Sequence, residues 1–200
     1  GCQLDKQAIK PMSSCIYGDS TAKRSIVLFG DSHAAQWFPA IDKWAINRSY
    51  RLVVMTKSSC PALAIPLKDN GAFKAKLCEK FRANAIAEIK KMKPILVVLG
   101  NFEHYDGVKK SDYEKSLDFP FHYILLRDTP WPNRDIPSCL TTKQNCDTPL
   151  PVSIVYQTKS IFDPIPLLCT ATKCPAKVDG LIAYRDPTHI TVTMALHLAS

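Results

Sequence analysis

Long hydrophobic runs are missing from this sequence. No apolar stretch approaches the ~20 residues a membrane-spanning helix needs, so no intrinsic membrane span is expected. The opening Gly1-Cys2-Gln3-Leu4-Asp5 has neither the basic n-region nor the apolar h-region of a signal peptide. The chain therefore reads as a processed product or a piece cut from something larger. C-x-x-C spacing is also absent, which argues against a zinc ribbon or a dithiol redox motif, and no metal or other cofactor is expected. Like charges never gather into blocks, although 26 basic against 18 acidic residues leave a net charge of +8. Short pairs such as Lys90-Lys91 and Lys109-Lys110 read as solvated helix faces, and no zinc-finger or RNA-binding aromatic pattern points to nucleic acid. Repeats and low-complexity segments are lacking too. Glycine is sparse, at seven residues, with none between Gly30 and Gly71.

Cysteine, by contrast, is plentiful. Cys2, Cys15, Cys60, Cys78, Cys139, Cys146, Cys169 and Cys174 make an even count at short separations. That usage predicts disulfides and an oxidising compartment. Sequence does not fix the connectivity. Pairing of neighbours, Cys2–Cys15, Cys60–Cys78, Cys139–Cys146 and Cys169–Cys174, is the expectation, each closing a short loop.

Two hundred residues, 46% of them hydrophobic, suit one domain with a sizeable core. Residues 1–24 lack periodicity and read as a stapled extension or linker; 25–200 read as the domain proper. Ser25–Phe29 predicts a buried strand that stops at Gly30-Asp31-Ser32. Trp37, Ile41 and Trp44 then recur at helical spacing and are expected in the core, with Pro39 in the helix's first turn. A second strand fits Arg51–Thr56. Phe73, Leu77, Phe81, Ala85 and Ile89 predict a long helix over 71–93, which Pro94 ends. Ile95–Leu99 is the most continuous apolar run and predicts a central parallel strand. A short helix fits within 107–118, and Phe121–Leu126 predicts a fourth strand. Residues 129–151, dense in proline and cysteine, predict irregular chain. Ser153–Ser160 suits helix or strand equally. Leu181–Tyr184 predicts a short strand. Asp186 is expected as the N-cap of a last helix, with Pro187 at its first position. Strands alternating with helices predict a three-layer α/β/α sandwich around a mainly parallel sheet.

In such a sheet, ligands bind at the carboxyl ends of the strands. Three features fall on that rim. Ser32 follows the first strand, Asn101 follows the third, and Asp186-x-x-His189 comes near the end of the chain. Serine is a weak nucleophile until a base takes its proton. Histidine titrates near neutrality and suits that task, and a carboxylate can orient the imidazole. Asn101 can donate its amide to an oxyanion beside the Ser32 backbone N–H. His33, His104, His122 and His197 are read as lying outside the chemistry. Trp131, in a proline-rich loop, is the candidate for stacking on a sugar.

Gly30-Asp31-Ser32 and Asp186-Pro187-Thr188-His189 look like the first and last blocks of the SGNH (GDSL-like) hydrolase family. More narrowly, residues 30–34 (Gly-Asp-Ser-His-Ala), Cys60-Pro61, Pro137-Ser138-Cys139-Leu140 and the closing Asp-x-x-His resemble one subgroup. It is the SGNH domain fused behind the membrane domain of acyltransferase-3 proteins. The resemblance covers about residues 25–200. It implies Ser32 as nucleophile, His189 as base, Asp186 as its partner, and Asn101 as an oxyanion donor. The family's second-block glycine has no counterpart here, so the backbone of Ser58 or Ser59 substitutes or that donor is absent. After Asn101 the chain continues Phe102-Glu103-His104, unlike many relatives.

The resemblance implies an O-acyltransferase domain, on the periplasmic face of the bacterial inner membrane. An acyltransferase-3 membrane domain, expected in the same polypeptide, would deliver an acyl group, most simply acetyl. Ser32 would carry it to a hydroxyl of a surface glycan such as O-antigen lipopolysaccharide. A stand-alone carbohydrate esterase with the same triad is the alternative, and a non-catalytic glycan-binding module is a third.

Overall fold

Strand residues Ser25–Gly30 are buried along their whole length in the computed structural model, which describes residues 2–142, 145–151, 154, 156, 158 and 160–199. In chain order the elements are β1 (Gln3–Leu4), β2 (Ile16–Gly18), β3 (Ser25–Gly30), α1 (Ser32–Ala35), α2 (Phe38–Asn47), β4 (Arg51–Lys57), α3 (Ala75–Met92), β5 (Leu96–Gly100), α4 (Lys110–Lys115), β6 (Tyr123–Leu126), α5 (Ile136–Thr141), β7 (Thr148–Pro149), β8 (Ile161–Phe162), α6 (Ile165–Leu168), β9 (Lys173–Cys174), β10 (Lys177–Val178), β11 (Leu181–Ile182) and α7 (Val192–His197).

The main sheet runs β1-β4-β3-β5-β6-β8, with every pair along that path parallel. β2 lies antiparallel on β4. β1 pairs with Thr56 and Lys57, whereas β2 pairs with Arg51 to Val53. Both segments from residues 1–24 thus occupy one edge of β4, and the Cys2–Cys15 disulfide joins them. β7 with β9, and β10 with β11, form two small antiparallel ribbons outside the sheet.

Alternation along each central strand feeds two cores. Ile26 and Leu28 face one side with Leu52, Val54 and Val98, while Val27 and Phe29 face the other with Val53, Met55, Val97 and Leu99. Side chains apolar on both faces are what a covered parallel sheet requires. α2, α5, α6 and α7 contribute to the first core; α3 and α4 close the second. The fold is a mostly parallel sheet flanked by helices.

Several elements differ from expectation in instructive ways. α3 buries Cys78, Phe81, Ala85 and Ile89, and Leu77 is only half-buried. The Cys60–Cys78 disulfide turns that face toward the loop after β4. Pro94 does end the helix, after Lys93 in a left-handed conformation (φ 49°). Trp37 is buried in the core, but Trp44 is 40% exposed and leans on Tyr50 instead. Residues 129–151 hold the short helix α5, capped by the Asp135 carboxylate. Half of Ser153–Ser160 lies outside the described residues. All four neighbour pairs of cysteine are bridged. Among the described residues, no helix is long and apolar enough to cross a membrane.

Two glycines let α1 sit directly on the strand ends. A Cβ on Gly30 (φ 151°) would lie 1.9 Å from the Gly100 carbonyl oxygen, and a Cβ on Gly100 would lie 2.7 Å from Ala34 Cα. Gly100→Ala, which adds a methyl group against backbone, is expected to lower unfolding free energy by roughly 1–3 kcal/mol. Gly30→Ala adds positive-φ strain to its clash and is expected to cost more. Urea denaturation of the two variants checks the size and the order.

Candidate active site

β3 breaks at Gly30, and Asp31 then caps α1 from an extended backbone (φ −96°). Its carboxylate is fully buried. Oδ1 accepts the His33 N–H at 2.8 Å. Oδ2 accepts the Phe102 N–H at 2.9 Å and the Tyr105 hydroxyl at 2.7 Å. Asp31 therefore ties the end of β3 to the chain leaving β5, although its burial pushes its pKa up. Ser32, the first residue of α1, is half-buried on this rim.

His189 arrives on a tight loop closed by the Tyr184–Ile190 bridge and by an Arg185 N–H to His189 carbonyl bond of 3.0 Å. Asp186 does not cap the last helix, as its position suggested. Its Oδ1 accepts the N–H groups of Thr188 (2.9 Å) and His189 (2.8 Å), so it folds the loop itself. The helix cap is Thr191, whose hydroxyl accepts the Met194 N–H. With its backbone held by Asp186, His189 lays Nδ1 at 3.0 Å from both carboxylate oxygens and 2.9 Å from Thr188 Oγ1. Partial burial pushes the Asp186 pKa up, but the two N–H groups and the imidazole outweigh it and hold the carboxyl at about 2. Burial pulls His189 down, and the His33 ring beside it does the same, against the pull of Asp186. The Nε2 atom is buried without a hydrogen-bond partner among the described residues. The next residue, Ile190, donates its N–H to Gln36 Oε1 at 2.9 Å, docking the loop on the end of α1.

Asn101 follows β5 and is buried. Its Oδ1 accepts the Leu63 N–H at 3.3 Å, which orients the amide, while Nδ2 has no partner among the described residues. The two serines after β4 part company. The Ser58 N–H donates to the Leu4 carbonyl at 2.9 Å. Ser59 holds a left-handed conformation (φ 58°) in a turn closed by the Cys60 N–H on the Lys57 carbonyl at 3.1 Å. Ser59 is thus a non-glycine residue in a backbone region that favours glycine.

Sequence reasoning missed a second buried set. His33 Nδ1 lies 2.6 Å from Asp128 Oδ1, and both side chains are almost fully buried. Asp128 Oδ2 accepts the Glu103 N–H, and Glu103 Oε1 accepts the Asp128 N–H and the Tyr156 hydroxyl. The available signal was positional: Asp128 follows an apolar strand at the same rim as Asp31 and Asn101. Phe102 packs at 4.6 Å on His33 and 5.8 Å on Trp131, whose ring lies 4.7 Å from His104. Trp131 Nε1 is buried without a partner among the described residues. These rings wall one flank of the site.

The candidate side chains thus gather at the carboxyl rim of a parallel sheet, where α/β domains bind their ligands. A family model for the SGNH domain fused to AT3 domains matches residues 1–200, and the chain belongs to that family. Among solved structures it is similar to the periplasmic domain of a lipopolysaccharide acetyltransferase from Salmonella ser. Paratyphi A. The TM-score is 0.63 at 20% identity, over 90% of this chain and 82% of that one, a likeness of fold. A comparison with curated proteins finds no significant match.

Glu103 makes a pH signature. Burial, with the Asp128 carboxylate adding to it, lifts its pKa from 4.5 to about 7. The folded state thus binds a proton that the unfolded chain releases. The associated stability is complete below the ordinary Glu value and is lost as pH rises through about 7. Unfolding free energy is expected to fall by roughly 1–3 kcal/mol across that window. Glu103→Gln should flatten the profile, as measured by urea titrations at fixed ionic strength.

Proposed function

We propose that this domain is an extracytoplasmic O-acyltransferase working through an acyl-serine. The observation that carries the reading is the state of His189. Its Nδ1 is held by Asp186, its Nε2 is buried and unengaged among the described residues, and its loop is docked on the helix that Ser32 begins. An imidazole in that condition is ready to take a proton from a nearby hydroxyl.

The steps follow from the residues. Ser32 Oγ attacks the carbonyl carbon of the acyl donor, and its proton passes to His189 Nε2. Asp186 keeps the Nδ1–H oriented and stabilises the imidazolium. The Ser32 N–H and the unengaged Asn101 Nδ2 suit the developing oxyanion, and the Ser59 N–H is the remaining backbone candidate. The imidazolium returns its proton to the leaving oxygen, which departs and leaves an ester on Ser32. An acceptor hydroxyl then gives its proton to His189 and attacks the ester carbonyl; the Ser32 oxygen departs, the His189 imidazolium returns the proton to it, and the acyl group stays on the acceptor.

Family membership supports an AT3 membrane domain as the acyl donor, most simply of acetyl, and as part of the same polypeptide. The lipopolysaccharide acetyltransferase neighbour supports a surface glycan, such as O-antigen lipopolysaccharide, as acceptor. Four disulfides suit the oxidising periplasmic face of the inner membrane.

An activated acetyl ester tests the reading, with mass spectrometry of the protein and with or without an oligosaccharide acceptor. Acetyl is expected on Ser32, and the acceptor should divert it from water. Release to water alone would make the domain an esterase. Ser32→Ala should abolish labelling, and undiminished labelling would sink the assignment. Asn101→Ala should lower turnover about 10²–10³-fold, mainly in kcat.

A further inference from the structure

Beside the proposed base lies a second imidazole that the mechanism leaves unused. His33 follows Ser32 directly, and its ring centre is 4.6 Å from that of His189 with the planes tilted by 38°. Asp128 holds it by the shortest carboxylate–imidazole contact in the site, 2.6 Å against 3.0 Å for Asp186–His189. The contact is also the drier of the two, with side chains 5% and 2% exposed against 17% and 37%. The two couples are thus stacked, one buried deep and the other closer to solvent.

Two stacked imidazoles do not both take a positive charge easily, because like charges at this separation repel strongly at low dielectric. Which of them is charged is decided by the carboxylates around them. Asp128 touches His33 directly, and Asp31 and Asp186 also face it. His104, from the chain after β5, also faces it, and Glu103 reaches Asp128. Burial is the largest single influence and works against a charged His33, yet the Asp128, Asp31 and Asp186 carboxylates together outweigh it and move its pKa up. His189 moves down, first through burial and then through His33, with Arg185 a smaller influence in the same direction and Asp186 opposing them.

We infer that His33, held as an imidazolium by Asp128, is a positioning residue that keeps His189 uncharged and ready to accept the Ser32 proton. The inference rests on the reading of Ser32 and His189 as nucleophile and base. It accounts for a feature that reading leaves aside: a buried ion pair within ring contact of the base. The charge has a second effect on the same proton. Once His189 has taken it, the neighbouring positive charge makes that imidazolium a stronger acid. Return of the proton to the departing oxygen is thereby favoured, so no net proton is gained or lost over the cycle.

The test combines NMR titration of His189 with the pH dependence of kcat/KM for an activated acetyl ester, in the 200-residue chain. His33→Gln removes the charge and keeps a polar side chain. Asp128→Asn removes its counter-anion and keeps a hydrogen-bonding oxygen. Both are expected to raise the His189 midpoint by about 1 pH unit and to move the acidic limb of the rate profile up with it. An unchanged or lowered His189 midpoint in folded protein overturns the inference, and so does a loss of rate at every pH with the limb in place. The His189 midpoint is read without turnover. A raised midpoint in a protein whose Ser32→Ala variant stays fully active would therefore overturn the triad reading and leave the His33–His189 coupling standing.

Discussion

The site depends on a carboxylate that has no water to lean on. Asp31 is fully buried at the point where β3 gives way to α1, and its oxygens are met instead by the His33 N–H, the Phe102 N–H and the Tyr105 hydroxyl. Those bonds reach back into α1 and across to the chain that leaves β5. A buried ion left without such partners costs several kcal/mol, so the native state keeps these contacts together. Ser32 and Asn101, each one residue from an atom of this network, inherit fixed positions from it. The close approach of Gly30, Gly100 and Ala34 serves the same end from below, by bringing the helix backbone down onto the strand ends.

Around this centre the construction is uneven. The sheet and α3 are conventional packing, with alternating strand residues serving two cores. The later half of the chain is built from short ribbons, short helices and two small disulfide loops, Cys139–Cys146 and Cys169–Cys174, with separations of 7 and 5 residues. Such segments bury little on their own, and covalent closure limits the freedom they would otherwise have. The first core draws on this half through Ile136, Leu168, Ala176 and Ala183. The bridges thereby serve the same body as the sheet.

Much of this was legible in the sequence where causes are local. Apolar runs marked β3 and β5, Pro94 ended α3, and Gly30-Asp31-Ser32 marked the turn. The contacts that escaped are those whose partners lie far along the chain. His33 meets Asp128 across 95 positions, and nothing near either residue announces the pairing. Leu77 was favoured over Cys78 because periodicity weighs side chains by hydrophobicity, whereas a disulfide chose the face. Asp186 was read as a helix cap because a carboxylate accepting N–H groups two and three residues on is the local signature of both a cap and a tight loop. The left-handed Ser59 was invisible for a simpler reason: only glycine advertises that conformation. The Asp186-x-x-His189 spacing and the rim positions of Ser32 and Asn101 were visible. The buried carboxylate pair behind the site was not.

Asp186 and His189 belong to one loop, and the same carboxylate that meets the imidazole also accepts the loop's own N–H groups. The carboxylate and the imidazole are therefore held together as one unit of the loop. If the loop breathes about the Tyr184–Ile190 bridge, their mutual distance is conserved and only their separation from Ser32 changes. The seating of that loop on α1 thus runs through a contact in which the Gln36 side chain receives the Ile190 N–H, and on the proposed mechanism that contact governs how the couple meets Ser32.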